Sequence, residues 1–187
     1  MEQQLAPLDG LFLAMETPAL PAHIGGLSIL DPSSCPDGAD RFDFERFRGF
    51  VAERLPRCPR FGWRVQEVPF GLDAPYWVDD GPLDLDAHLH RVAVPAPGGE
   101  HELAELAGVL FAPALDRSRP LWEMFFIEGL QGGRVAVLWK VHHALMDGQA
   151  GSGLIDQLVD LSPDAPPRTI APIAHRATTG AARPLSP

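Results

Sequence analysis

The chain has 187 residues, 45% of them hydrophobic, and a formal net charge of −10. That length is sufficient for one domain with a sizeable core, and no apolar run approaches the ~18 residues needed to span a bilayer. The acidity excludes a nucleic-acid surface, which needs a basic face, although a local positive patch can still hold an anionic ligand.

The amino end lacks a basic segment followed by an apolar one, so no signal peptide is expected and the setting reads as cytoplasmic. Cys35 and Cys58 lie far apart, in or beside loops and without metal spacing. They read as free thiols in a reducing compartment. Near the start, Leu8, Leu11, Phe12 and Met15 recur at i, i+3, i+4 and i+7 after Pro7. The spacing predicts a short amphipathic helix that ends before Pro18, with its stripe in the core. Ala22 to Leu30 reads as a strand in which Gly25-Gly26 signals a bulge or the close approach of another backbone. His23, at that strand's start, is structural or lines a site.

A Pro/Ser/Asp/Gly-rich loop over 31–40 precedes a helix with Phe44, Phe47, Val51 and Leu55 on one face, Asp43 as N-cap and Pro56 closing it. Residues 61–94 read as short strands broken by turns. His88 and His90 stand at i, i+2 within the last of them, a conceivable metal pair. No third ligand stands at a telling distance, and zinc normally takes three or four, so no metal is expected. Leu103, Leu106, Ala107, Leu110 and Phe111 mark a further amphipathic helix closed by Pro113. Pro120-Leu-Trp-Glu123 then opens a strand apolar on both faces, expected inside the sheet, in which Glu123 must be paired or protonated. Arg117, Arg119 or a histidine could pair it. Gly132-Gly133 turns this strand into a hairpin with the next.

That next stretch is the most informative. Arg134-Val-Ala-Val-Leu-Trp-Lys-Val-His142-His143-Ala-Leu-Met-Asp147-Gly148 is a β-branched strand ending in tandem histidines, followed by a turn pair. Leu154, Ile155, Leu158 and Val159 then give a buried helical stripe. If the strand persists to its end, side-chain alternation sets His143 on the face of Val135, Val137, Trp139 and Val141, and His142 on the opposite face. The two imidazoles then cannot do the same job. Gly151-Ser-Gly153 lacks the spacing of a nucleophile elbow, so no covalent nucleophile is evident.

His142-His143-x-x-x-Asp147-Gly148 resembles the His-His-x-x-x-Asp-Gly signature of the coenzyme A-dependent acyltransferase superfamily. The opening Pro-Leu-Asp segment, the His23-Ile-Gly-Gly strand and Pro120-Leu-Trp-Glu123 narrow the resemblance to bacterial wax ester synthase/diacylglycerol acyltransferases. It covers roughly residues 5–165 and matches only the amino-terminal half of such enzymes. It implies an α/β (α+β two-layer) fold, a mixed β-sheet flanked by helices, as in one half of chloramphenicol acetyltransferase. The implied organisation is an acyltransferase domain over 1–161 and a Pro/Ala-rich linker over 162–187 toward a carboxy-terminal half, which is either a second chain or missing.

The implied reaction moves a long-chain acyl group from acyl-CoA to the hydroxyl of diacylglycerol or a fatty alcohol. No cofactor is implied, since acyl-CoA is a co-substrate. An alcohol is a poor acid and needs a base, whereas a thiolate with pKa about 8.5 leaves unaided. A histidine suits the base role, worth ~10²–10⁴-fold. By resemblance and strand parity His143 is that base, His142 supports the motif from inside, Asp147 orders the loop and Gly148 permits the turn near substrate. Water competes for the thioester, so an enclosed tunnel between two halves is expected. The apolar substrates imply contact with a membrane or lipid inclusion. Two other readings compete: a condensation-type enzyme using carrier-protein thioesters, and a non-catalytic half serving assembly or lipid-surface binding.

Overall fold

The structure is a computed structural model that describes residues 2–31 and 42–146. Two sheets organise it. A small antiparallel one has the order β1 (Glu2–Gln4), β4 (Tyr76–Asp79), β3 (Trp63–Gln66). The larger has the order β2 (His23–Leu30), β7 (Val135–His142), β6 (Trp122–Glu128), β5 (Leu89–Ala93). It is mixed: β5 and β6 run parallel, joined by α3 (Glu100–Phe111), and the other pairs are antiparallel.

Alternation along the central strands sends side chains to two apolar cores. Trp122, Met124 and Phe126 pack with Val135, Val141 and with Phe47 and Val51 of α2 (Phe44–Arg54). Phe125, Ile127, Ala136 and Leu138 pack with Leu103, Leu106 and Leu110 of α3. Helices therefore cover both faces of the mixed sheet, and each large side chain so buried contributes about 1.5–3 kcal/mol. β6 lies between β5 and β7, which explains its apolar character on both sides. The Asp43 carboxylate accepts the Arg46 amide at 2.9 Å and caps α2.

Gly25 and Gly26 mark a close approach of strands. A Cβ on Gly25 would clash with the Trp139 carbonyl oxygen, and one on Gly26 would sit 3.0 Å from the Trp139 indole.

Two expectations need correction. In α1 (Pro7–Met15) only Asp9 and Leu13 are buried, while Leu8, Leu11 and Met15 are at least half exposed. The stripe is largely surface: Leu13 joins the core, Phe12 packs against it, and Leu8, Leu11 and Met15 stand out. The last of the strands expected within 61–94 does not hold both His88 and His90, because Asp84 caps a 3₁₀ turn over Leu85–Ala87 and β5 begins only at Leu89. β1 was not foreseen at all. The expected loop over 31–40 beyond Asp31, with Cys35, and the helix and linker beyond 146 lie outside the described residues.

Candidate active site

The motif strand β7 is held on both sides. β2 pairs along its full length, placing His23 opposite His142, and β6 sets Glu123 opposite Lys140. At its end the main-chain amides of the two histidines are pinned: His142 donates to the Leu121 carbonyl at 3.0 Å and His143 to the Ala22 carbonyl at 2.8 Å. The Pro-Leu-Trp-Glu run thus acts as a buttress, with Leu121 and Trp122 wholly buried. The Trp122 indole donates to the Phe61 carbonyl at 2.8 Å and its ring stacks on His88.

Strand geometry stops at His142. His143 starts a 3₁₀ turn over His143–Leu145, so alternation along β7 does not carry to it. Its orientation comes from the turn and from α1: the imidazole stacks on the Phe12 ring, with centroids 3.8 Å apart and an interplanar angle of 18°. His143 is half-buried, and its Nδ1 is sealed without a hydrogen-bond partner among the described residues. Nε2 is not sealed in this way among the described residues.

His142 is fully buried. Its Nδ1 accepts the Ala144 amide at 3.0 Å, which assigns the remaining proton of the neutral ring to Nε2. That atom faces Glu16 Oε1 at 3.6 Å, too long for a hydrogen bond. Burial pushes His142 down to about 4, against the opposing pull of Glu16. The ring is therefore neutral at physiological pH, and the Glu16 contact is not an ion pair.

Glu16 itself is held lower than an ordinary glutamate. Burial raises it, but the Ala22 amide and the Arg117 guanidinium outweigh that. Its Oε1 accepts the Ala22 amide at 3.1 Å and its Oε2 accepts Arg117 Nη2 at 2.9 Å.

Glu123 pairs with Lys140 at 3.0 Å, and none of the sequence candidates fills that role. Lys140, fully buried, also donates to the Leu110 and Pro113 carbonyls at the end of α3. Arg117 belongs to Glu16 and Arg119 lies beside Asp116. His23 Nε2 donates to the Phe111 carbonyl at 2.7 Å, and burial lowers its pKa. His88 sits before β5, buried, donating from Nδ1 to the Trp122 carbonyl at 2.8 Å, while His90 packs against Phe125. Among the described residues no group of three metal-ligating side chains forms. Burial raises the Cys58 thiol to about 11, so it is an inert core group.

Asp147 and Gly148 lie outside the described residues. Two cavities, about 500 Å³ beside Arg91 and Arg134 and about 270 Å³ beside Cys58 and Leu85, include neither histidine of the motif.

Sequence reasoning missed Phe12 and Glu16 as parts of this site. Glu16 and Arg117 are 101 positions apart, and nothing local signals their pairing.

The model for the wax ester synthase/diacylglycerol acyltransferase catalytic domain matches residues 5–184. A Mycobacterium tuberculosis protein named as a diacylglycerol O-acyltransferase is 43% identical over 179 residues, covering 95% of this chain and 34% of its own length. A second from that organism, named as the diacylglycerol O-acyltransferase tgs3, is 40% identical over 148 residues, covering 79% of this chain and 53% of its own. The solved wax ester synthase/diacylglycerol acyltransferase of Marinobacter aquaeolei superposes with TM-score 0.67 at 32% identity, over 87% of this chain and 38% of that one. The starter condensation domain of rhizomide synthetase shares the fold, with TM-score 0.63 at 10% identity over 84% of this chain and 38% of that one. The chain spans about a third of the length of the first of these relatives. It belongs to the wax ester synthase/diacylglycerol acyltransferase family.

Proposed function

We propose that this chain is the histidine-bearing half of an O-acyltransferase. The enzyme moves a long-chain acyl group from acyl-CoA to the hydroxyl of diacylglycerol or a fatty alcohol, making triacylglycerol or wax ester. The observation that carries the reading is the placement of His143 at the end of the motif strand: Nδ1 is sealed against the protein, and the half-buried ring is stacked on Phe12. Base action requires the lone pair on Nε2, hence the proton on Nδ1. Nε2 takes the hydroxyl proton as the oxygen bonds to the thioester carbon. The carbon–sulfur bond then breaks and the coenzyme A thiolate receives that proton. His142, neutral and inward, braces the turn through its bond to Ala144. Asp147 is assigned to ordering the motif loop and Gly148 to its turn beside the substrate.

The remaining half of the enzyme completes the enclosed site around His143, and residues 162–187 serve as the linker toward it. Family membership and the one-third coverage of longer relatives support this. The exposed Leu8, Leu11 and Met15 on α1 support working contact with a lipid surface from the cytoplasmic side. No helix among the described residues is long and apolar enough to cross a membrane.

The test is donor choice. The chain, alone and combined with the carboxy-terminal half, is given palmitoyl-CoA with hexadecanol or diolein, and free thiol is measured. Thiol release and ester formation by the combined halves, and little by the chain alone, is the expected result. Turnover with palmitoyl thioesters of an acyl-carrier protein, but not with palmitoyl-CoA, would replace this reading by the condensation type. No turnover in either case would favour a non-catalytic half.

A further inference from the structure

The tandem histidines do not hold themselves. His143 has two positional anchors, its main-chain bond to the Ala22 carbonyl and its stack on Phe12. Both anchors belong to segments that converge on one carboxylate. Glu16 follows α1 directly, and its Oε1 holds the amide of Ala22, the residue whose carbonyl receives His143. Its Oε2 takes a two-point contact from Arg117, at 3.1 Å from Nε and 2.9 Å from Nη2. Arg117 also donates to the Leu13 carbonyl, in the last turn of α1 next to Phe12.

The carboxylate side chain is only 5% exposed, and Oε1 also lies 3.6 Å from His142. A buried carboxylate is costly unless charge-paired and hydrogen-bonded, and Arg117 with Ala22 supplies both.

We propose that Glu16 and Arg117 are a positioning pair for His143, a role that rests on the acyl-transfer reading above. The pair ties the end of α1 to the start of β2, and so fixes the stack and the main-chain bond together. Neither side chain touches the reacting atoms. Losing the pair frees the imidazole to tilt, and a misplacement of about 1 Å in a reacting group can cost ~10²-fold in rate.

The test uses Glu16→Gln and Arg117→Lys in the active two-half enzyme, beside His143→Ala. Expected are a kcat lower by about 10-fold or more for Glu16→Gln, KM for palmitoyl-CoA and hexadecanol within about two-fold, and a partial loss for Arg117→Lys. The double variant should be no worse than Glu16→Gln, because the pair acts as a unit. An independent readout is the His143 ring resonance in proton–carbon NMR of the chain, assigned by its loss in His143→Ala. It should shift or broaden in Glu16→Gln. An unchanged resonance overturns the proposal whatever the activities are, and so does an unchanged kcat in Glu16→Gln while His143→Ala is dead. Should His143→Ala retain turnover, the acyl-transfer reading fails, and the resonance alone still decides whether the pair positions the ring. If Glu16→Gln does not fold, Arg117→Lys carries the same two readouts.

Discussion

Protonation at single side chains sets the acid limit of this fold. His23, His88 and His142 are all lowered by burial, His142 to about 4. Unfolding releases each to its ordinary value near 6.5. Between about 6.5 and 4 the unfolded chain therefore binds the extra protons, and stability rises with pH across that window. The urea midpoint should fall steadily from pH 7 to pH 5, before carboxylates titrate, and His142→Asn should flatten the slope. A midpoint constant over that range would contradict the assignment of these rings as neutral and buried.

Lys140 gives a second residue-scale prediction. It is fully buried, and Lys140→Met would leave Glu123 unpaired. Breaking a buried pair typically costs about 3–5 kcal/mol. The loss should fall at or below the low end of that range, because Glu123 is 24% exposed. Adding Glu123→Leu should recover much of the urea midpoint; a double variant worse than the single would show that the ion pair itself is stabilising. The pairing was within reach of the sequence. The Gly132-Gly133 hairpin places Glu123 opposite the only lysine in the chain, so working out the register would have found it. Glu16 with Arg117 was not, because their meeting depends on how α1 sits on the sheet.

At the scale of elements, glycines separate strand packing from helix propensity. Gly25→Ala would drive a methyl into the Trp139 carbonyl and the Phe111 ring, prising β2 from β7. Overpacking of this kind costs about 1–3 kcal/mol and more where backbone must move. Gly49, in the middle of α2, has nothing within 4 Å of an added Cβ. Gly49→Ala should stabilise by about 0.5–1 kcal/mol. Thermal melts of the two variants should move in opposite directions; parallel shifts would mean that the strand contact at Gly25 is looser than its geometry.

The same scale shows where periodicity informs and where it misleads. α2 and α3 follow their apolar spacing closely, and the Asp43 cap stands where the sequence puts it. α1 has an equally good stripe and yet exposes most of it. Spacing identifies an apolar face but not what covers it. The parity argument for His143 failed for a related reason: alternation holds only while the strand lasts, and β7 ends one residue earlier.

Taken whole, the described residues form a sheet core that carries the motif histidines at the end of β7. Helices close both sides of the four-stranded sheet, while α1 and the end of β7 meet at the His143 edge of the site. An enzyme that must keep water from a thioester needs that edge enclosed. Single-half chemistry should therefore be slow or directed to water. Palmitoyl-CoA given to the chain alone should yield at most slow release of palmitate and no wax ester, whereas rapid ester synthesis by the chain alone would show that one half is sufficient. The family, the order of the motifs and the mixed sheet were all legible in the sequence. The contacts that orient the histidines were not, since they join segments distant in the chain.

The central claim is that His143 removes the proton from the acceptor hydroxyl. Its most direct test is the rate of wax ester formation from palmitoyl-CoA and hexadecanol by the two-half enzyme, wild type against His143→Ala, with circular dichroism showing both folded. A rate lower by ~10²-fold or more, with KM little changed, is the predicted result. A rate within about two-fold of wild type would contradict it.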